Sequence, residues 1–239
     1  MPFMRKTGPE GGAPGAAGRR RAAKAATHAR ILGSAGRLVR RAGLRAASVP
    51  AVMRGAGLTV GGFYAHFKSK RAMDAEVLRR ELDLVRASWL GGLDDSRGVE
   101  WLARAVKRYL SAAHRDAVDT GCAMPSSLSE LTHADRATRA AFADGVEQAI
   151  AELAARAPAT AAASPRERAL ATFALCVGGL TLARALRGHP LSDELLRACR
   201  AWALPEPSAR EPSARAPSAR APSARRTDRE RDRRSDRER

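Results

Sequence analysis

Acidic side chains are almost missing from the front of this 239-residue chain. Residues 1–70 carry 14 Lys/Arg against one Asp/Glu, Glu10, a net +13. A segment so one-sided excludes a cationic partner and favours a polyanion. The imbalance is local: residues 71–205 carry 18 Lys/Arg against 17 Asp/Glu, and residues 206–239 carry 11 against 7, within a formal total of +18. A basic first third beside a neutral remainder implies a polyanion-binding module joined to something else. Cysteine is scarce too. Cys122, Cys176 and Cys199 cannot all pair and form no CxxC or metal-spaced cluster, which excludes a structural zinc site and fits a reducing cytoplasm. No metal and no cofactor are expected. Long apolar runs are lacking: the longest, roughly residues 172–183, falls short of the ~20 residues a spanning helix needs, and the N-terminus has charge but no apolar signal core. No membrane association is expected. The five histidines, at 28, 66, 114, 133 and 189, are scattered, and no glycine-rich phosphate loop follows a strand, so an enzyme is not expected.

What is present reads as helices, organised around residues 57–70, GLTVGGFYAHFKSK. Gly57 can hold the left-handed conformation that ends one helix, and Thr59 is a good N-cap for the next, so a tight bend is encoded in three residues. In the short helix that follows, Leu58, Phe63 and Phe67 point inward. Val60, Gly61, Tyr64 and His66 point outward, and Lys68 and Lys70 close the element in positive charge, a face suited to nucleic acid. Adjacent glycines at 61 and 62 weaken this helix by roughly 1 kcal/mol each relative to alanine, so it is expected to firm up on DNA. Upstream, apolar residues from Ile31 to Ala42 recur at helical spacing over about residues 22–41, with Gly43 as the stop. Ser48 caps a second short helix with Pro50 in its first turn, where the missing N–H costs nothing. Downstream, residues 70–90 form a long helix whose broad apolar face includes Met73, Val77, Leu78, Leu82, Val85 and Trp89.

That order of parts, ILGSAGRLVRRAGL, then SVPAVMRGAGLTVGGFYAHFKSKRAM, then a long helix, resembles the N-terminal domain of the TetR/AcrR family of bacterial transcriptional regulators. The likeness is close over about residues 25–80 and is one of helical layout beyond residue 90. It implies an all-α fold: an N-terminal three-helix helix-turn-helix domain joined by a long helix to an all-helical ligand-binding and dimerisation domain. The expected boundaries are a disordered basic arm at 1–21, the DNA-binding domain at 22–70, a connecting helix at 71–90, the effector and dimerisation domain at 91–204, and a disordered tail at 205–239. The resemblance implies that Ser48 and Thr59 touch phosphates as well as capping, that Tyr64, His66, Lys68 and Lys70 hold the backbone of double-stranded DNA, and that Val60, Gly61 and Gly62 face base edges. With no Arg, Asn or Gln at the helix start, bidentate hydrogen bonding to a purine is excluded there. Readout is left to Val60 on a thymine methyl, close backbone approach and DNA shape.

In the second half, apolar spacing predicts one helix over about residues 99–118, a short one over 126–131 after the break Gly121-Cys122-Ala123-Met124-Pro125, and one over about 142–157. A Pro/Ala/Ser/Thr loop at 158–165 precedes helices over about 165–187 and 191–202, with Ser192 as a candidate cap. By the resemblance, the last two helices pair with their copies in a homodimer, and the middle helices enclose a pocket for a small-molecule effector. The candidate lining is Trp101, Tyr109, Cys122, Met124, Phe142 and Phe173. From residue 206, EPSAR, EPSAR, APSAR and APSAR repeat at a period of five before a mixed-charge end, a composition that cannot bury a core. The expected function is a cytoplasmic, sequence-specific repressor released from a palindromic operator by its effector. Two other readings stay open: a nonspecific nucleoid-type DNA-binding protein, and a thiol-based redox or electrophile sensor acting through Cys122.

Overall fold

Local signals decide where the first helices stop. The structure, a computed structural model, describes residues 15–158 and 163–204, so the expected tail, the start of the arm and the centre of the 158–165 loop lie outside the described residues. Helix α1 spans Ala16–Ala46, but Ala42 (φ −148°) and Gly43 (φ 81°) leave helical geometry and kink its last turn. Gly43 therefore acts as the expected stop. The start differs from expectation: α1 begins six residues before residue 22, so Arg19, Arg20 and Arg21 stand on a helix and not in an arm. Alanine and arginine are strong helix formers, and together they outweigh the single Gly18.

Helix α2, Val49–Gly55, is capped by the Ser48 side chain, which accepts the Ala51 N–H at 3.4 Å, with Pro50 in its first turn. Gly57 takes a positive φ of 67° and turns the chain into a 3-10 helix, Val60–Ala65. Helix α3, Lys70–Leu90, is capped by Ser69. Then come α4 (Gly98–Tyr109), α5 (Ala112–Asp116), α6 (Met124–Leu131), α7 (Arg136–Arg156), α8 (Pro165–Ala185) and α9 (Pro190–Trp202). No strand occurs among the described residues.

Two predictions fail at serines. The helix expected over 99–118 breaks into α4 and α5, because Ser111 accepts the His114 N–H and donates to the Arg108 carbonyl, offering the backbone an alternative to the helical ladder. Ser192 is not a cap. His189 takes that position, accepting the Leu191 N–H, while the Ser192 hydroxyl donates to the Ala183 carbonyl at 2.7 Å and ties α9 to α8.

Two apolar cores share α3. The first gathers Ile31, Ala35 and Val39 of α1, Val52 and Met53 of α2, Phe63, Phe67, and Met73, Val77 and Leu78 of α3. The second gathers Leu82, Trp89 and Leu90 of α3 with Trp101, Leu102 and Tyr109 of α4, Ile150 and Leu153 of α7, and Cys176 and Leu180 of α8. By length and composition α8 could cross a membrane, yet Ala169, Thr172, Cys176, Val177, Leu180 and Ala183 are buried in a helical core.

Helix α6 fastens the end of α1. The Ser126 hydroxyl lies 2.8 Å from the Val39 carbonyl and 3.0 Å from that of Arg40, serving oxygens that a helix end leaves unpaired. Glu130 accepts the Arg45 N–H at 3.0 Å. Gly43 is required between them, since a Cβ there would lie 2.6 Å from the Ser126 carbonyl oxygen on a backbone that L-residues rarely adopt. Gly43→Ala should therefore lower unfolding free energy by about 1–3 kcal/mol in urea titrations. An unchanged midpoint would contradict this fastening.

Candidate nucleic-acid interface and internal cavity

The 3-10 helix divides into an anchored and an unanchored face. Phe63 (fully buried) and Phe67 stack 5.4 Å apart in the first core, and Leu58 packs beside them. On the other side Tyr64 is 72% exposed and Val60 47% exposed. No packing contact explains a tyrosine and a valine held out in solvent beyond an edge contact of Tyr64 on Phe63. Ser48, Thr59, Gly61 and Lys68 are exposed on the same segment, and Gly62 is half-buried. Thr59 holds the cap position with extended backbone, but its side chain makes no cap hydrogen bond. The element is a 3-10 helix where an α-helix was expected, consistent with two adjacent glycines and a length of six residues.

His66 is half-buried with its Nδ1 unpartnered, and its ring lies 5.9 Å from that of His28. Burial, with the nearby His28 and Lys24 charges, holds the His66 imidazole below its ordinary value. Lys70 corrects the sequence reading. Its ammonium donates to the Leu44 carbonyl at 2.8 Å and to both Asp74 oxygens at 2.7 and 2.6 Å, so it pins α3 to the end of α1 and has no donor left for a phosphate. Burial pushes the Asp74 carboxyl up, and Lys70 opposes that shift.

The sequence placed DNA-facing charge in an arm ending at Arg19, Arg20 and Arg21 and missed what the rest of α1 contributes. Its N-terminal half brings Arg21, Lys24 and His28 beside His66 and Arg80 around one shallow, open groove. His28 stacks on Phe67 at 4.5 Å and pairs with Glu76 at 2.6 Å. Arg30 donates to the Ala56 carbonyl at 2.6 Å and so closes the C-terminus of α2. The density of Lys/Arg over residues 19–30 was the available signal; its place next to the bend depends on the fold.

A partly open cavity of about 400 Å³ lies between α1, α3, α4, α5 and the chain leading to α6, lined among others by Arg40, Glu81, Val85, Trp89, Tyr109 and His114. A second crevice of only about 10 Å³ touches Cys122, Met124 and Phe142. The six pocket candidates thus separate: Tyr109 lines the cavity, Cys122, Met124 and Phe142 line the crevice, and Trp101 and Phe173 line neither. Trp101 is fully buried under the Arg156 guanidinium, 4.8 Å from its ring, and Phe173 packs on Trp89. Both are core residues. Cys122 is fully buried, and burial pushes its thiol up. A sensing thiolate needs exposure and positive surroundings, so this geometry gives the redox reading no support. Cavity residues missed by the sequence reading are Glu81, buried at 5% exposure, and Arg40, which pairs with it. Each looked like an ordinary solvated charge on a helix.

Fold and site define a class: a helix-turn-helix reading head on an all-helical body. Residues 31–77 match the model of the tetR family of bacterial regulatory proteins, and no curated protein matches the chain. Among solved structures, reduced Escherichia coli NemR superposes with a TM-score of 0.65 at 19% identity, over 77% of this chain and 99% of that one. A TetR regulator from Chloroflexus aurantiacus gives 0.64 at 20% identity, over 76% and 96%. One from Agrobacterium tumefaciens gives 0.63 at 18%, over 76% and 100%. The helix-turn-helix domain belongs to the TetR family, and the described chain has the fold of TetR-family transcriptional regulators.

Gly61 offers a direct test of the reading face. Its φ is not positive, and a Cβ there would meet nothing within 4 Å, so the fold does not require glycine. Gly61→Ala should leave the unfolding midpoint unchanged or raise stability by about 0.4–1 kcal/mol. It should weaken operator binding about tenfold or more in fluorescence anisotropy, because the methyl blocks close backbone approach. Unchanged operator affinity would remove Gly61 from the interface.

Proposed function

We propose that the protein is a cytoplasmic, homodimeric, effector-responsive repressor of transcription. The observation that carries this reading is the exposed face of the 3-10 helix, where Val60 and Tyr64 stand in solvent beside a basic α1. Val60, Gly61 and Gly62 enter the major groove. Ser48, Thr59, Tyr64, His66 and Lys68 hold the phosphates on either side. Arg21 and Lys24 add charge from α1, and because phosphate contacts release counterions, affinity falls steeply with salt.

Dimerisation rests on a second surface. On α8, Leu170, Ala174, Gly178 and Leu182 follow one another at intervals of four and are all exposed, Leu182 at 52%. On α9, Leu191, Ala198 and Trp202 continue an apolar seam, with Trp202 80% exposed. Two adjacent helices with unpartnered apolar rows suit a four-helix contact between copies. A two-fold dimer carries two reading heads about one helical turn or somewhat more apart, so its operator is an imperfect palindrome.

Selection of DNA fragments bound by the full chain should enrich such a palindrome. Leu182→Glu should convert the dimer to a monomer in sedimentation and weaken operator binding. Fragments without a shared sequence would favour nonspecific packaging of DNA, and a monomeric unmodified protein would overturn the dimer.

A further inference from the structure

We propose that the effector is an organic cation bearing an N–H donor, such as a protonated amine, amidine or guanidine on an apolar body. Its charged head takes the Glu81 carboxylate and displaces Arg40. This rests on the reading of the chain as an effector-responsive regulator and names the ligand class.

The cavity of about 400 Å³ has the size of a small-ligand site, with Leu84, Val85, Trp89 and Tyr109 as its apolar walls. Part of its cationic donor capacity is already in use. The Arg108 guanidinium donates to the carbonyls of Ser88, Trp89 and Gly91. Arg40 donates to Glu81 and to the Asp119 carbonyl. His114 is fixed as well: Nδ1 lies 2.7 Å from the Tyr109 carbonyl, and Nε2 accepts the Cys122 N–H at 3.0 Å. Two buried polar atoms on lining residues have no partner, Glu81 Oε1 and the Tyr109 hydroxyl. Both can accept from a donor on a ligand; the Glu81 oxygen can only accept, whereas the Tyr109 hydroxyl also has a proton to give.

Charge sets the sign of the ligand. An anionic head that drew Arg40 away would leave Glu81, whose side chain is 4% exposed, as a buried carboxylate without a counter-charge. A cationic head replaces Arg40 as the partner, and the carboxylate stays compensated throughout. Arg40 keeps the Asp119 carbonyl and turns outward. Trp89 and Tyr109, with rings 4.4 Å apart, add π faces that favour a cation.

The exchange also reaches the reading head. Gly36 and Arg40 both lie on α1, and Glu81 Oε1 packs so closely on Gly36 that a Cβ there would overlap it. A ligand that draws the carboxylate into the cavity removes both contacts holding α1 to α3 at this level, and α1 carries the core on which the 3-10 helix is seated.

The test uses calorimetry on the full-length protein with three probes of similar size: 1-naphthylmethylamine (cationic at neutral pH), 1-naphthalenemethanol (neutral) and 1-naphthoate (anionic). The amine should bind about tenfold or more tighter than the other two, and Glu81→Gln should abolish that preference. Naphthoate binding as tightly as the amine, no preference among the three, or an amine preference retained in a folded Glu81→Gln protein overturns the proposal. The ranking on the unmodified protein decides it without any variant. Calorimetry contains no DNA, so the two readings fail separately. Loss of operator specificity with the amine preference intact sinks only the regulator, and a specific operator with no amine preference sinks only this ligand class.

Discussion

A buried carboxylate on the shared helix sets the terms for the rest of the molecule. Glu81 sits at 5% exposure in the middle of α3, between the two apolar cores, where an ionised group is tolerated only with a partner. Arg40 supplies the counter-charge, and Gly36 supplies the space. Both come from α1, so the position of α1 against α3 is fixed by electrostatics as well as by packing. The Lys70 ammonium repeats the device at the N-terminal end of α3, tying Asp74 and the Leu44 carbonyl together. Between these two pins α1 and α3 bind the helix-turn-helix to the helical body.

The surface left over by this arrangement is divided in kind. The reading face is thin, six residues of 3-10 helix held by Phe63 and Phe67 and backed by Met53, with no side chain capping its start. Its placement comes from the core beneath it. Helices α8 and α9 offer a surface of a different kind, their exposed apolar rows. The cavity opens beside the same Arg40–Glu81 pair that holds α1 to α3, so the proposed ligand would meet the atoms that fix α1. Coupling of this kind needs no long pathway, only one pair with two alternative partners.

Much of the fold was legible because its signals are local. Ser48 and Pro50 start α2, Gly43 and Gly57 turn the chain, and α3 spans Lys70–Leu90, as the spacing of its apolar residues and the following glycines implied. Signals that depend on which of several possible partners a side chain takes were not legible. Ser111 resembles any helical serine until its hydroxyl meets the Arg108 carbonyl, and Lys70 resembles a phosphate contact until Asp74 and Leu44 consume its donors. In the site, the exposed residues Val60 and Tyr64 could be read from helical periodicity. Glu81 could not, since a carboxylate among arginines on a long helix is ordinarily solvated. The cavity was equally hidden: the family resemblance put Trp101 and Phe173 in its lining, and the fold uses them as packing.

The central claim is that the Arg40–Glu81 pair joins the reading head to the body, and a double-mutant cycle measures it directly. Unfolding free energies of the unmodified protein, Arg40→Met, Glu81→Gln and the double variant give the coupling. Removing either partner alone should cost more than removing both would suggest, with a coupling of about 1–3 kcal/mol. Costs that add to within about 0.3–0.5 kcal/mol would contradict the account, because the pair would then contribute nothing as a pair.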